Sequence, residues 1–493
     1  MKRAIIISAA IILIVLIGLV AVAVINCTSK PFYVGVTFGG NTATEAKQLI
    51  DRVKNYTNLF VVQSDRLQYN ISEMEDTCDY AVKSGLDIIV YFSSYASQRN
   101  TTAAFIDTAQ ERWGSHFLGV YYGDEPSGKA LDGGVHLDNI PNLGNVTADQ
   151  YGVTVSQTNG SISTGKTFYS SIFSGQISLE YRDSVSYNMT IYLPNGTITV
   201  SKGYNDYDYD FENHEFLTYL PNGTVTLHKG VLPSNPTSVV TGRGNISQFE
   251  PYQQLWDSRP FQTMDDMPAV ATSYVKTQQA TTDWIANQDD VKLFTSDYAL
   301  YWWDYQSGYD VVLAQLGWNN TAAQEIGLVR GAANLQGKSW GTIITWTYTQ
   351  APYLTSGDEI YDQMRLSYES GAKYVIVFNY AQDMNGAYGT LQEEHFQALE
   401  RFWNEVVQNP NVVQGGIKAE AALVLPRNYG WGMRNPNDTI WGLWNTNSTS
   451  EQIWTQLQDK LAQYGSKLDI VYDDPAYPVE GKYNQIYFWN QTS

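Results

Sequence analysis

The sequence predicts an α/β protein built as a (β/α)8 barrel, with an inserted antiparallel β domain after strand 4, a small C-terminal α/β domain and an N-terminal transmembrane helix. From residue 32 onward, short apolar runs alternate with amphipathic segments, as in parallel α/β folds. Eight such runs occur, four before residue 126 and four after residue 262, which is the strand count of this barrel. Between the two sets, residues 127–261 change to the period-two alternation of antiparallel strands.

The first half of the barrel is predicted from three repeats of strand and helix and a fourth strand. Each strand is a short apolar run, and each helix shows apolar residues at a spacing of three or four. Gly85 follows the second helix, where a left-handed residue commonly ends a helix. The predicted strands are 32–38, 59–63, 87–92 and 117–122, and the helices are 44–54, 72–84 and 103–113.

The second half resumes the same alternation, although residues 297–310 contain no clear helix. The predicted strands are 292–296, 311–316, 341–347 and 374–379, and the helices are 268–287, 322–335, 358–370 and 391–408. A smaller unit follows, with strands 421–425, 469–472 and 485–489 and a helix at 451–464. The predicted domains are 1–28 for the transmembrane helix, 29–126 with 262–410 for the barrel, 127–261 for the inserted β domain and 411–493 for the small α/β domain.

The insertion contains a repeat that predicts two β-hairpins. Residues 192–200 (YLPNGTITV) and 219–227 (YLPNGTVTL) match with an offset of 27 residues. Asn-Gly between alternating runs is a strong hairpin signal, because both positions tolerate positive φ. Two copies are too few for a solenoid.

The N-terminus predicts a membrane anchor. Lys2 and Arg3 precede Ala4–Ile25, a run of 22 residues without a charge. As a helix this run is about 33 Å long, enough to cross the hydrocarbon core of a bilayer. Its length favours an uncleaved anchor over a cleaved signal peptide. The preceding positive charges place the bulk of the chain outside, at the cell surface.

Glycosylation sequons support export. The chain has 33 Asn and fourteen Asn-x-Ser/Thr sequons, one of them at Asn26, whereas its composition predicts about five by chance. The excess predicts a glycoprotein. Cys27 and Cys78 either form one disulfide or remain separate thiols. The candidate glycosylation sites are Asn55, Asn70, Asn100, Asn145, Asn159, Asn188, Asn195, Asn222, Asn245, Asn319, Asn437, Asn447 and Asn490.

Composition excludes several classes of function. The net charge of −20 argues against nucleic acid, whose binding depends on cationic side chains. Five scattered His and two Cys predict no metal site, and no dinucleotide or phosphate-binding motif occurs, so no cofactor is expected. The charged fraction is only 16% while aromatic residues reach 14%, so the surface is expected to be polar through hydroxyls and amides rather than through ions.

The expected ligand site lies at the carboxyl ends of the barrel strands. These ends carry carboxylates, amides and aromatic rings, among them Gln63, Asp65, Gln315 and Trp318, but no His and almost no cations. Such a lining suits a neutral sugar, stacked on rings and hydrogen-bonded through amides. The candidate ligand contacts are Trp302, Trp303, Trp346, Tyr348, Gln350, Asn379, Tyr380 and Asp383.

The sharpest motif is Gly123-Asp124-Glu125-Pro126 at the end of strand 4. Gly permits a tight turn, and Pro stiffens the exit from the strand. Repulsion between adjacent carboxylates raises the pKa of one of them, and a carboxyl kept protonated can donate a proton to a glycosidic oxygen. The alternative is a turn whose acids cap a helix or pair with a surface base.

On these residues, the chain resembles glycoside hydrolases with (β/α)8 barrels. In the large retaining clan, Asn-Glu-Pro often ends strand 4, and its Glu is the acid/base. Glu125 matches that Glu, whereas Asp124 replaces the Asn. The clan's nucleophile is a Glu at the end of strand 7, and residues 345–350 (TWTYTQ) contain none.

The motif is more similar to that of barrel β-N-acetylhexosaminidases, in which Asp-Glu ends strand 4. There the 2-acetamido group of the substrate is the nucleophile, so no second catalytic carboxylate is needed. The resemblance implies that Asp124 orients this group and that Glu125 protonates the leaving oxygen. The acetamide pockets of the family are walled by aromatic rings, for which Trp302, Trp303, Trp346 and Tyr348 are candidates.

The sequence leaves three functions open. The first is a membrane-anchored glycoside hydrolase outside the cytoplasm that acts on N-acetylated glycosides. The second is a non-catalytic glycan-binding protein with a hydrolase-derived barrel, which the absence of a second catalytic carboxylate favours. The third is a surface-layer or adhesive component of the cell envelope. The expected partners are a carbohydrate, the membrane and other envelope proteins.

Overall fold

The centre of the molecule is a closed barrel of eight parallel strands, which confirms the predicted barrel. The computed structural model describes residues 32–94, 98–133, 264–286, 291–318, 320–380 and 388–491, and the backbone of seven strands between residues 137 and 229. The barrel strands are β1 (Tyr33–Phe38), β2 (Leu59–Val62), β3 (Asp87–Phe92), β4 (Phe117–Tyr122), β12 (Lys292–Asp297), β13 (Val311–Leu316), β14 (Ser339–Ile344) and β15 (Tyr374–Val377).

Helices surround the barrel close to the predicted positions. The first begins with a capping box, in which the Thr42 hydroxyl accepts from the Glu45 amide and the Glu45 carboxylate accepts from the Thr42 amide. The last predicted barrel helix, 391–408, begins as α-helix and ends in a π-helical turn, Trp403–Val407. The helices that match predictions are α1 (Ala43–Val53), α2 (Ile71–Lys83), α3 (Arg99–Trp113), α5 (Met267–Ala286), α7 (Ala322–Gln336), α8 (Gly357–Glu369) and α9 (Glu393–Phe402).

Two short helices correct the predicted secondary structure. Residues 127–133 were expected to open the β insertion, but Pro126–Gly133 forms helix α4 directly after β4. Residues 297–310, expected to lack a helix, contain α6 (Tyr301–Gln306). Helices this short are marginal in isolation, so contacts with the rest of the fold must stabilise them.

Apolar side chains fill the inside of the barrel. The rings of Tyr33 and Tyr374 stack with their centroids 5.1 Å apart across neighbouring strands. At Gly35 an added Cβ would lie 2.1 Å from the carbonyl oxygen of Leu59, so the strands approach too closely there for a side chain. The interior cluster comprises Tyr33, Leu59, Val61, Ile89, Tyr121, Phe294, Val311, Leu313, Ile343, Tyr374 and Ile376.

The insertion contains a seven-stranded sheet in which every strand pairs antiparallel with its neighbours in the chain. Each copy of the repeat contains the end of one strand and the start of the next, and these two strands pair with each other. Tyr192 lies opposite Ile198 in the first copy, and Tyr219 lies opposite Val225 in the second. The Asn-Gly turns themselves lie outside the described residues. The strands are β5 (Leu137–Asp138), β6 (Phe168–Phe173), β7 (Gln176–Arg182), β8 (Ser186–Tyr192), β9 (Ile198–Tyr204), β10 (Glu215–Tyr219) and β11 (Val225–Lys229).

The C-terminal segment forms a three-stranded parallel sheet that packs on helix α7. An added Cβ at Gly327 would lie 2.6 Å from the carbonyl oxygen of Leu468, which shows how closely helix and sheet approach. A buried ion pair joins the same surfaces, with Arg330 Nε 2.7 Å from Asp469 Oδ1. The elements are β16 (Ala421–Leu425), α10 (Ser448–Tyr464), β17 (Leu468–Tyr472) and β18 (Gln485–Phe488), with β16 in the centre.

The predicted membrane anchor lies outside the described residues and stays a prediction. Within the described part of the chain, no helix combines the length and apolar character needed to cross a membrane.

Candidate active site

The motif after β4 forms a strained turn that leads directly into helix α4. Gly123 has φ of +68° and Glu125 has φ of +56°. A left-handed conformation costs a residue with a side chain about 1–2 kcal/mol, so other contacts must maintain it at Glu125. The Glu125 amide donates to the Ser296 carbonyl at 3.0 Å, and the Glu125 carbonyl accepts from the Lys129 amide at 2.9 Å.

Two buried carboxyl groups, those of Asp297 and Asp304, accept hydrogen bonds from the first turn of α4. Asp297 accepts from the backbone amides of Ser127 at 2.7 Å and Gly128 at 2.8 Å, and thus caps the helix. Asp304, on helix α6, accepts from the Ser127 hydroxyl at 2.6 Å. Burial raises the pKa of Asp304 to about 7, and burial together with the charge of Asp304 raises the pKa of Asp297. Together these contacts position the turn that carries Glu125.

Asp124 is held through one of its two carboxylate oxygens. Its Oδ1 accepts from the Tyr121 hydroxyl and, at 3.2 Å, from the Ser296 hydroxyl. The Tyr121 hydroxyl also lies 2.7 Å from Ser296 Oγ, which closes the triangle. The other carboxylate oxygen of Asp124, Oδ2, is 3.6 Å from Lys129 Nζ. The two hydroxyls therefore fix the orientation of the carboxylate, and its second oxygen lies near the ammonium group of Lys129.

Glu125 is held between an amide and a cation. Gln315 Nε2 donates to its Oε1 at 2.7 Å, and Lys129 Nζ lies 3.5 Å from its Oε2. Burial is the largest cause that raises the pKa of Glu125, and the charge of Asp124 adds to it, whereas Gln315 and Lys129 oppose the shift. The net effect is a pKa above the ordinary value, which suits a proton donor.

The two acids line a cavity of about 270 Å³ at the carboxyl ends of the strands. Asp65, at the end of β2, adds a third carboxyl group, and burial followed by the charge of Asp124 raises its pKa. Gln63 and Gln315 each have a buried side-chain oxygen with no hydrogen-bond partner in the described part of the molecule. The lining residues are Gln63, Asp65, Tyr91, Asp124, Glu125, Ser296, Gln315, Ile343, Thr345, Trp346, Phe378 and Tyr380.

Trp346 and Tyr380 are the predicted aromatic contacts that line this cavity. With Phe378 they form one aromatic wall, since the Trp346 ring lies 5.4 Å from that of Phe378 and 6.0 Å from that of Tyr380. One side of the cavity is therefore aromatic and the opposite side carries acids and amides, which is the lining expected for a sugar ring.

Trp302 and Trp303 do not line the cavity, in contrast to the expectation from sequence. They lie on the buried helix α6 and are only 3% and 2% exposed. The ring of Trp303 lies 4.6 Å from that of Trp441, and the ring of Trp302 lies 5.6 Å from that of Tyr472. Both side chains join the barrel to the C-terminal segment, because the unpredicted helix turns them away from the strand ends.

The remaining predicted contacts occupy different positions. Tyr348 and Gln350 are exposed in the loop after β14. Asn379 is buried, its Oδ1 accepts from the Thr390 amide at 3.0 Å, and it is not among the residues that line the cavity. Asp383 lies outside the described residues.

Several residues of this site were not identified from the sequence. Lys129 lies one helical turn after Glu125, a spacing that becomes informative only once residues 126–133 are known to be helical. Tyr121 and Ser296 belong to strands and Thr345 directly follows β14, and their inward direction follows from the period-two alternation of each strand. That alternation was a usable signal.

The sequons differ in accessibility. Asn447 is partly buried, with its Oδ1 accepting from the Tyr429 hydroxyl at 2.9 Å and its Nδ2 donating to Met264 Sδ at 3.0 Å. Asn188 lies on β8, where only the backbone is described. Cys78 is buried, while Cys27 lies outside the described residues. Asn145, Asn159, Asn195, Asn222, Asn245 and Asn319 also lie outside them, whereas Asn55, Asn70, Asn100, Asn437 and Asn490 are exposed.

Comparison with known proteins returned no protein-family model and no curated protein that matches the chain.

Proposed function

We propose that this protein is a glycoside hydrolase that binds an N-acetylated sugar in the cavity and uses Glu125 as its general acid. The observation that carries the proposal is the position of Glu125. It is a carboxyl group of raised pKa, beside a second carboxylate, in a cavity with one aromatic wall. A general acid must be protonated at the working pH, and a raised pKa extends the range in which it is.

Asp124 suits the supporting role in substrate-assisted hydrolysis. Its Oδ1 is occupied by the hydroxyls of Tyr121 and Ser296, and its Oδ2, which lies 3.6 Å from Lys129 Nζ, would accept the N–H of a 2-acetamido group. The acetamido oxygen would attack C1 as the glycosidic C1–O bond breaks, while Glu125 gives its proton to the leaving oxygen. Water would then add to C1 as the bond between C1 and the acetamido oxygen breaks, and the water would return a proton to Glu125. This route requires no carboxylate at the end of β14.

A second candidate function is sugar binding without turnover. Lys129 favours it, because a cation 3.5 Å from Glu125 Oε2 stabilises the ionised carboxylate, which cannot donate a proton. The Lys129 side chain is 57% exposed, however, so water and salt weaken its effect. Burial and the charge of Asp124 outweigh it in the net direction of the Glu125 pKa.

The test is hydrolysis of an aryl N-acetyl-β-hexosaminide by the purified full-length protein, with sugar binding measured in parallel by calorimetry. We expect turnover that falls at least about a hundredfold in Glu125→Gln, because loss of general acid catalysis has this size. Asp124→Asn should also lose turnover, since its amide cannot replace the negative charge. Glu111→Gln, on the exposed surface of α3, is the matched control.

The outcomes separate the two functions. Turnover that needs Glu125 supports the hydrolase. Binding of N-acetylglucosamine without turnover by any form supports the binding protein. Turnover that survives Glu125→Gln, or absence of both binding and turnover, contradicts the assignment of this cavity.

We further propose that residues 4–25 anchor the protein and that the rest of the chain is exported and glycosylated. The evidence is the uncharged run after Lys2 and Arg3 and the excess of sequons. Glycopeptide mass spectrometry of the native membrane fraction tests this. We expect glycans at the exposed Asn55 and none at Asn447, whose side-chain nitrogen is already hydrogen-bonded.

A further inference from the structure

Two large aromatic side chains lie exposed beside the mouth of the cavity. Trp318 follows β13 and is 44% exposed, and Tyr348 follows β14 and is 48% exposed. These strands are neighbours in the barrel, with Leu316 paired to Ile344. Within the described residues, neither Trp318 nor Tyr348 packs against another aromatic ring. Exposing such apolar area is unfavourable, and exposed apolar patches commonly mark binding sites.

Both exposed residues are tied to Trp346, which lines the cavity. The Trp318 amide donates to the Trp346 carbonyl at 2.8 Å. The Tyr348 amide donates to the Tyr353 carbonyl at 3.0 Å, and the Tyr353 ring lies 5.5 Å from that of Trp346. Both exposed residues are therefore held next to Trp346, one of the residues of the aromatic wall.

The backbone at Trp318 is strained, as is common where a side chain is held for a ligand. Trp318 has φ of +50°, a left-handed conformation that a residue with a side chain rarely adopts. The preceding Gly317 has no room for a side chain, because its Cβ would lie 2.3 Å from the Trp346 carbonyl oxygen. Glycine would suit position 318 better, yet tryptophan, the largest residue, occupies it.

We propose that Trp318 and Tyr348 form a second sugar-binding subsite, so that the ligand is an oligosaccharide chain and not a single terminal sugar. This inference rests on the proposed sugar site. The cavity, at about 270 Å³, is smaller than the roughly 300–1,000 Å³ typical of small-molecule pockets, so it does not enclose an oligosaccharide and further sugar residues would contact the surface outside it. Amphipathic sugar rings stack on aromatic faces without needing charge, which matches the neutral character of these two side chains.

The experiment compares binding of N-acetylglucosamine with binding of its β-1,4-linked tetrasaccharide to the full-length protein. Both are measured by calorimetry in the Glu125→Gln background, in which hydrolysis is expected to be at least about a hundredfold slower. We expect Trp318→Gly to weaken tetrasaccharide binding about five- to tenfold and monosaccharide binding less than about twofold. Trp318→Tyr keeps a ring at this position and should retain most of the tetrasaccharide affinity.

Thermal stability excludes a merely structural role. Because glycine adopts the left-handed conformation without strain, Trp318→Gly should have a Tm no lower than that of the parent protein. Equal loss of affinity for both sugars, or no loss for either, contradicts the proposed second subsite but does not contradict the proposed sugar site in the cavity. If the parent protein binds neither sugar, the proposed sugar site fails, and this inference fails with it.

Discussion

Glu325 provides a quantitative test of the electrostatics of this fold. It lies in the first turn of α7, is 2% exposed and accepts a hydrogen bond from the Tyr301 hydroxyl at 2.5 Å. Burial raises the pKa of Glu325 to about 8, against the smaller opposing effects of Tyr301 and Arg434. The perturbation is Glu325→Gln, which keeps an acceptor for Tyr301 but cannot ionise.

The sign and size of the effect follow from proton linkage. In the unfolded chain a glutamate has a pKa of about 4.3, so between that value and about 8 the folded protein retains a proton that the unfolded chain has lost. The free energy of unfolding therefore decreases as pH rises through this interval. At 1.36 kcal/mol per pKa unit, Glu325 alone lowers it by about 3–4 kcal/mol between pH 5 and pH 8.5.

The assay is urea unfolding of the parent protein and Glu325→Gln at pH 5 and pH 8.5. We expect the two to differ by less than about 1 kcal/mol at pH 5, and the variant to be more stable by about 3 kcal/mol at pH 8.5. Glu111→Gln, at an exposed position on α3, should follow the parent protein at both values. Parallel pH dependence in Glu325→Gln and the parent protein would refute the reasoning.

Two further predictions concern the site and the C-terminal sheet. Lys129→Met removes the cation beside Glu125 and should raise the pKa of Glu125, so the loss of kcat at alkaline pH moves to higher pH. The shift should be largest at low ionic strength, where the charge of Lys129 is least screened. A pH profile of kcat that does not move contradicts this role for Lys129. Asp469→Ala leaves the buried guanidinium of Arg330 without its carboxylate and should cost about 3–5 kcal/mol in guanidinium unfolding, whereas a cost below about 1 kcal/mol contradicts the importance of this pair.

The barrel could be predicted from the sequence because its strands are buried on both faces. Runs such as residues 59–62 and 374–377 are continuously apolar, and amphipathic helices separate them, so each element is visible without knowledge of its partners. The motif at Asp124 and Glu125 was visible for a related reason. Two adjacent acids at the end of an apolar strand interrupt the pattern at the place where barrel sites occur.

Helices α4 and α6 could not be predicted because contacts distant in sequence stabilise them. The first turn of α4 is capped by Asp297, 170 residues from Ser127 along the chain. All but the last residue of α6 are buried, so it has no polar face to mark it as a helix. The prediction that Trp302 and Trp303 line the cavity was wrong for the same reason, because these residues were assigned to a loop at the strand ends but belong to a buried helix.

The chemistry of Glu125 depends on the same long-range contacts. Gln315, 190 residues away, and Lys129 favour its ionised form, while burial and Asp124 favour its protonated form. A sugar ring that fills the cavity would displace water from Glu125 and Asp124, and this strengthens the effects of burial and of the Asp124 charge, both of which raise the pKa of Glu125. Because Lys129 lies at the exposed edge, its opposing effect remains partly screened. We therefore expect the protonated form of Glu125 to be most populated when a ligand occupies the cavity, the state in which a proton donor is needed.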